Sequence, residues 1–218
     1  MSSETICRSP LCQSHREEVA SVVTHALGVV LSIVALIGMA LNARDSALEM
    51  VSALVFGGSL VLLYFSSTLY HAVTSVRKKS LLQAFDHACI YLLIAGSYTP
   101  VMLISLRGAW GWTLLCIVWF MAIAGVIIKT VLPGKKDHWL STVLYIVMGW
   151  LAVIAIGPLL RALPMAGVAW LVAGGLSYTL GVIFFVWRKL PYHHAIWHLF
   201  VLGGSACHVA AVWLYVIR

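Results

Sequence analysis

Three imidazoles and one carboxylate, His71, His194, His198 and Asp86, lie far apart along 218 residues, yet they are the types that build a catalytic zinc site. His194 and His198 are four positions apart, one helical turn, so both face the same way and suit two ligands of one ion. Two interfacial histidines bonded to neighbouring helices would show the same spacing. Ser67-Thr68-Leu69-Tyr70-His71 repeats it, and Phe85-Asp86-His87 adds a carboxylate. Three imidazoles favour zinc by ligand type and leave a fourth position open. They also leave the ion's charge uncompensated in a low-dielectric setting. Ionised Asp86 together with a zinc-bound hydroxide cancels that charge, which casts Asp86 as the partner of the zinc water rather than a fourth ligand. Ser67 suits orientation of a ligand or of that water, with ordinary bonding to its own backbone as the alternative. Glu18 and His25, seven apart, share a helix face if the first helix already runs there. An accessory contact to the site then stands beside a plain polar helix start. His208 fits a buried histidine bonded to a neighbouring helix, or a proton relay.

The elements that must position these groups follow from composition. The chain is 62% hydrophobic and 10% charged, where a soluble domain carries about a quarter charged residues. Continuous apolar runs of about 20 residues, the length that spans hydrocarbon, recur along it, and the absence of period-two alternation excludes a barrel. They predict an all-α membrane protein, a bundle of seven transmembrane helices. The expected spans are Val19–Leu41, Ala47–His71, Ala84–Ile104, Trp110–Leu132, Trp139 to about Pro158, Met165–Trp187, and Tyr192 to the C-terminus. Residues 1–18 form a tail and residues 19–218 the helical domain. Arg77-Lys78-Lys79 is expected in a basic turn after the second span, which places Asp86 at the mouth of the third.

Of the fourteen Lys and Arg residues, only Arg44, Arg107, Arg161 and Arg218 fall on one side of such a bundle and ten on the other. The excess of positive charge marks the cytoplasmic side, so the N-terminus is expected inside and the C-terminus outside. The net charge of +7 therefore sets topology and does not imply nucleic acid. Five cysteines without a CxxC pair argue against a disulfide framework, and metal binding by Cys7 and Cys12 is a minor alternative. The pairs Gly57-Gly58, Gly174-Gly175 and Gly203-Gly204 suggest close helix contacts. Tyr98-Thr99-Pro100 marks a kink.

Four motifs occur in order: Glu17-Glu18 with Thr24-His25 and Gly28; Ser66-Ser67-Thr68-Leu69-Tyr70-His71; Phe85-Asp86-His87 with Ala95-Gly96-Ser97-Tyr98-Thr99-Pro100; and His193-His194-Ala195-Ile196-Trp197-His198. Together they resemble the bacterial hemolysin III proteins of the progestin and adipoQ receptor (PAQR) family over essentially the whole chain. Position 21 departs, with serine where the family pattern has asparagine. The resemblance implies seven helices, a cytoplasmic N-terminus and a zinc ion near the inner face, held by His71, His194 and His198. It also implies that Asp86 holds the zinc water, with Ser67 close by. Three functions are expected in order of physical support. The first is a zinc-dependent hydrolase of a lipid-like amide in membrane homeostasis. The second is a membrane sensor or receptor in which zinc is structural, and the third a pore-forming hemolysin. The expected location is the bacterial inner membrane, the expected partner a membrane lipid or lipid-like ligand, and a homo-oligomer is compatible with the sequence.

Overall fold

Backbone that crosses hydrocarbon must satisfy its own hydrogen bonds, which for continuous apolar runs means helices. The structure, a computed structural model, describes residues 13–131 and 138–217. Cys7, Cys12 and the basic stretch 133–137 lie outside the described residues. The helices are α1 (His15–Asn42), α2 (Ala47–Ala72), α3 (Val76–Pro100), α4 (Ala109–Val131), α5 (His138–Trp150), α6 (Ile156–Ala162), α7 (Met165–Val186) and α8 (His193–Tyr215). They supply seven stretches long and apolar enough to cross a membrane, because α5, a 3-10 turn at Leu151–Ala155 and α6 make a single one. Consecutive helices pack from α1 to α4; α8 packs on α7 and closes back onto α1. The third span is the most enclosed. On α1, Val23, Leu27, Val30 and Val34 recur at helical spacing and are exposed, as a face turned to lipid requires.

Two helices start earlier than the apolar runs do. α1 begins at His15 rather than Val19, because Ser14 and Glu17 form a capping box: Ser14 Oγ accepts from the Glu17 N–H, and Glu17 Oε2 accepts from the Ser14 N–H at 3.0 Å. Glu17 and Glu18 thus belong to the first turn, where carboxylates complement the helix dipole. α3 begins at Val76, so Arg77-Lys78-Lys79 is its first turn and not a basic loop. The physical reason is Lys79, which is only 2% exposed and turns into the bundle. Asp86 consequently lies nearly three turns inside α3 instead of at its mouth.

Two irregularities shape the interior. After Pro100, α3 widens into a π-helical segment at Val101–Ser105, as expected where a proline removes a backbone donor. The fifth span breaks at Leu151–Ala155 and runs on to Ala162, beyond its expected end. There the Tyr98 hydroxyl lies 2.9 Å and 3.0 Å from the Met148 and Gly149 carbonyls and accepts from the Ala152 N–H at 2.9 Å. A side chain from α3 thereby satisfies the backbone that the break frees.

The paired glycines are not equivalent. A Cβ on Gly57 would stand 2.6 Å from Leu36 Cδ1 and 3.0 Å from its Cα, whereas one on Gly58 would meet nothing within 4 Å. Gly57→Ala is therefore expected to separate α1 from α2 and to destabilise by about 1–3 kcal/mol, the usual cost of overpacking. Gly58→Ala should leave the thermal midpoint in detergent unchanged or slightly raised. Equal midpoints for the two variants would contradict this packing.

Candidate metal centre

The polar residues that the fold gathers sit at the end of the bundle where α1, α3 and α8 begin and α2 finishes. The carboxylate of Glu18 is the hub. Its Oε2 lies 2.7 Å from His71 Nδ1, and its Oε1 lies 2.8 Å from Lys79 Nζ. Lys79 Nζ also donates toward the carbonyls of Tyr70 and Val73, at 3.3 Å and 3.5 Å, and lies over the Tyr70 ring. One cation thus neutralises the carboxylate and covers last-turn carbonyls of α2, where positive charge is favoured.

These bonds fix proton positions. A carboxylate only accepts, so His71 Nδ1 carries the hydrogen and Nε2 keeps its lone pair. The Thr24 hydroxyl lies 3.0 Å and 2.9 Å from the carbonyls of Ala20 and Ser21, which take its proton. Its oxygen then accepts from His198 Nδ1, 3.2 Å away, and frees His198 Nε2 in the same manner. His71, His194 and His198 form a buried group whose potential ligand atoms all lie within 4.8 Å of one another. The Nε2 atom of each is buried without a hydrogen-bond partner among the described residues. Three unpartnered imidazole nitrogens, two with their opposite nitrogens already committed, are what a metal ion requires. The donor set fits an ion; three neutral imidazoles leave room in its coordination for a further ligand.

The other candidate residues fall in three places. His25 is 1% exposed, and its ring stacks on that of His198 with centroids 3.4 Å apart and planes at 15°. Neither of its ring nitrogens has a hydrogen-bond partner among the described residues, yet it is not in the metal-competent group. Asp86 is buried on α3, with Ser66 Oγ 3.5 Å from its Oδ1. Ser67 Oγ is buried, makes no hydrogen bond to its own helix among the described residues, and stands on the Asp86 carboxylate's side of α2. His208 lies on α8 at a distance from the cluster and bonds to the Leu171 carbonyl of α7.

An apolar cavity opens from this end into the bundle. His25 and Asp86 line its polar end, and Leu63, Ile94, Trp150, Tyr178 and Val201 are among its walls. Two contributors escaped the sequence reading. Lys79 looked like one of three loop cations, and only its burial against α1 distinguishes it. Thr24 carried no signal beyond its place beside His25.

Residues 13–209 match the family described as Haemolysin-III related. The chain is 47% identical over 205 residues to the Hemolysin-3 homolog of Bacillus subtilis (strain 168), covering 93% of this chain and 96% of the relative. It is 47% identical over 209 residues to Hemolysin-3 of Bacillus cereus, with 95% of each covered. Identity to the human Monocyte to macrophage differentiation factor is 33% over 219 residues, covering 96% of this chain and 87% of that protein.

Breaking a buried ion pair from one side leaves a stranded charge and costs about 3–5 kcal/mol, whereas replacing both partners is far milder. Lys79→Met is therefore expected to lower the thermal midpoint markedly. Adding Glu18→Gln, which keeps an acceptor for His71 Nδ1 without the charge, should recover most of the loss. A Lys79→Met protein as stable as the unmodified one would show that the pair contributes nothing.

Proposed function

Because the chain belongs to the Haemolysin-III related family, we propose that its three-histidine cluster is a zinc site serving hydrolysis of a lipid-like amide at the cytoplasmic face of the plasma membrane. The observation that carries this is the set of three buried, unpartnered Nε2 atoms beside an apolar cavity with a carboxylate at its polar end. His71, His194 and His198 would hold the ion, zinc by the preference of imidazole donors and the room left for a further ligand. When bound, zinc supplies a Lewis acid and lowers the pKa of water. Glu18 and Thr24 hold two of the imidazoles in the tautomer that offers Nε2. Asp86 accepts the proton of the attacking water at a carboxylate oxygen and returns it to the departing nitrogen, with Ser66 and Ser67 orienting it. The apolar walls bind an acyl chain and keep bulk water out, as in most small-molecule sites. The excess of Lys and Arg on the side of the bundle where α1 begins supports the cytoplasmic assignment.

The test is elemental analysis of detergent-purified protein followed by turnover of a long-chain N-acyl amide. About one zinc per chain is expected, falling below a tenth in His198→Ala. Asp86→Asn should retain zinc and lose at least 100-fold in kcat, the scale of a lost general base. Full turnover in Asp86→Asn would sink the hydrolase. Stoichiometric zinc with no turnover of any acyl amide, and a thermal midpoint that collapses in His198→Ala, would instead favour a receptor with structural zinc.

A further inference from the structure

Beyond the metal end, the cavity walls are almost closed to hydrogen bonding. Tyr98 bonds to the broken fifth span, and Ser97 Oγ donates to the Ile94 carbonyl at 2.8 Å. Trp150 Nε1 donates to Thr179 Oγ1 at 3.0 Å, and Thr179 Oγ1 donates to the Gly175 carbonyl at 2.7 Å. The Tyr178 hydroxyl pairs with Ser205 Oγ at 2.9 Å, and Ser205 in turn with the Tyr64 hydroxyl at 2.6 Å. His208 is different. Its Nε2 lies 3.3 Å from the Leu171 carbonyl, which can only accept, so Nε2 carries the hydrogen and Nδ1 keeps a lone pair. That Nδ1 is buried and has no partner among the described residues. The ring is seated by Gly174, where a Cβ would come within 2.2 Å of Cδ2 and 2.6 Å of Nε2. The edge bearing Nδ1 is therefore the one turned away from α7.

His208 follows His194 and Val201 at intervals of seven residues, near two turns each, so all three share a face of α8. It stands about 15 Å along the helix from His198. It lines the cavity that reaches the metal end and also a second one, which continues past Ile156, Leu159 and Val168. Ser97, Tyr98 and Trp150 line both as well, so the two spaces adjoin at His208.

We propose that His208 Nδ1 is a second recognition point in this chamber, accepting a hydrogen bond from a hydroxyl carried midway along an acyl chain whose reactive end lies at the histidine cluster. The proposal rests on the proposed use of the cavity for an acyl chain. A buried water needs two to four polar partners, and most of the neighbouring donors and acceptors are already paired within the walls. A chain hydroxyl needs only one, because the chain itself covers the apolar surroundings. The distal cavity then receives the remainder of the chain beyond the hydroxyl.

Ricinoleic and oleic acids differ by one mid-chain hydroxyl, and both present a carboxylate to the metal end. Their affinities for the purified zinc-loaded protein are measured by displacement of a fluorescent fatty acid. Ricinoleic acid is expected to bind about fivefold more tightly, the scale of one net hydrogen bond. His208→Phe keeps a ring beside Gly174 and should abolish the difference without weakening oleic acid; His208→Gln, which retains an acceptor, should restore part of it. The comparison in the unmodified protein stands even if neither variant folds. Equal affinities there, or a preference that survives in His208→Phe, overturn the hydroxyl site while leaving the chamber intact. Failure of both acids to bind overturns the chamber reading along with it.

Discussion

A carboxylate inside a membrane bundle is tolerated only where its charge is met, and the organisation of this protein's polar end follows from how Glu18 meets that condition. One oxygen faces a lysine from α3 and the other an imidazole from α2. Three helices are thereby referred to a single point on the first turn of α1. The arrangement explains why α3 starts with a buried cation instead of a loop, and why His71 presents Nε2 rather than Nδ1 to the interior. Stability of this end and the preparation of the His71 nitrogen are accordingly one problem with one solution.

The rest of the bundle divides into a well-packed half and a looser one. α1 to α3 and α8 interlock around the cluster, while the fifth span touches its neighbours sparingly and is broken in the middle. The break is not a fault in the helix, because Tyr98 supplies the hydrogen bonds it frees. Space that continuous helices would have filled becomes the cavity between α3, the fifth span and α7. Rigid support for the polar groups and the walls of the apolar cavity are assigned largely to different helices.

Much of this was legible in the sequence where information is local. The number of spans followed from apolar runs, and the grouping of His194 with His198 from a spacing of four. Placing His71 beside them needed only the threading of the chain through a bilayer. What could not be read was any feature decided by a distant partner. Lys79 has the same neighbours in sequence as a loop cation, and only Glu18, 61 positions earlier, draws it inward. The Tyr98 hydroxyl satisfies the backbone at a break just past α5, bonding to Ala152, 54 residues away. The stack of His25 on His198 joins the first helix to the last, with no periodicity to announce it.

That last junction bears on how the molecule comes into being. Thr24 on α1 orients His198 on α8, and Glu17 accepts from the backbone N–H of Tyr192, whose left-handed conformation turns the chain into α8. An early helix of the bundle and a late one are thus needed at the same spot. Until the seventh span enters the bilayer, two of the three clustered histidines are missing and the third has no companions. An ion that needs the full set could be captured only after α8 has joined α1 and α2, so occupancy of the cluster would report that those three helices had assembled.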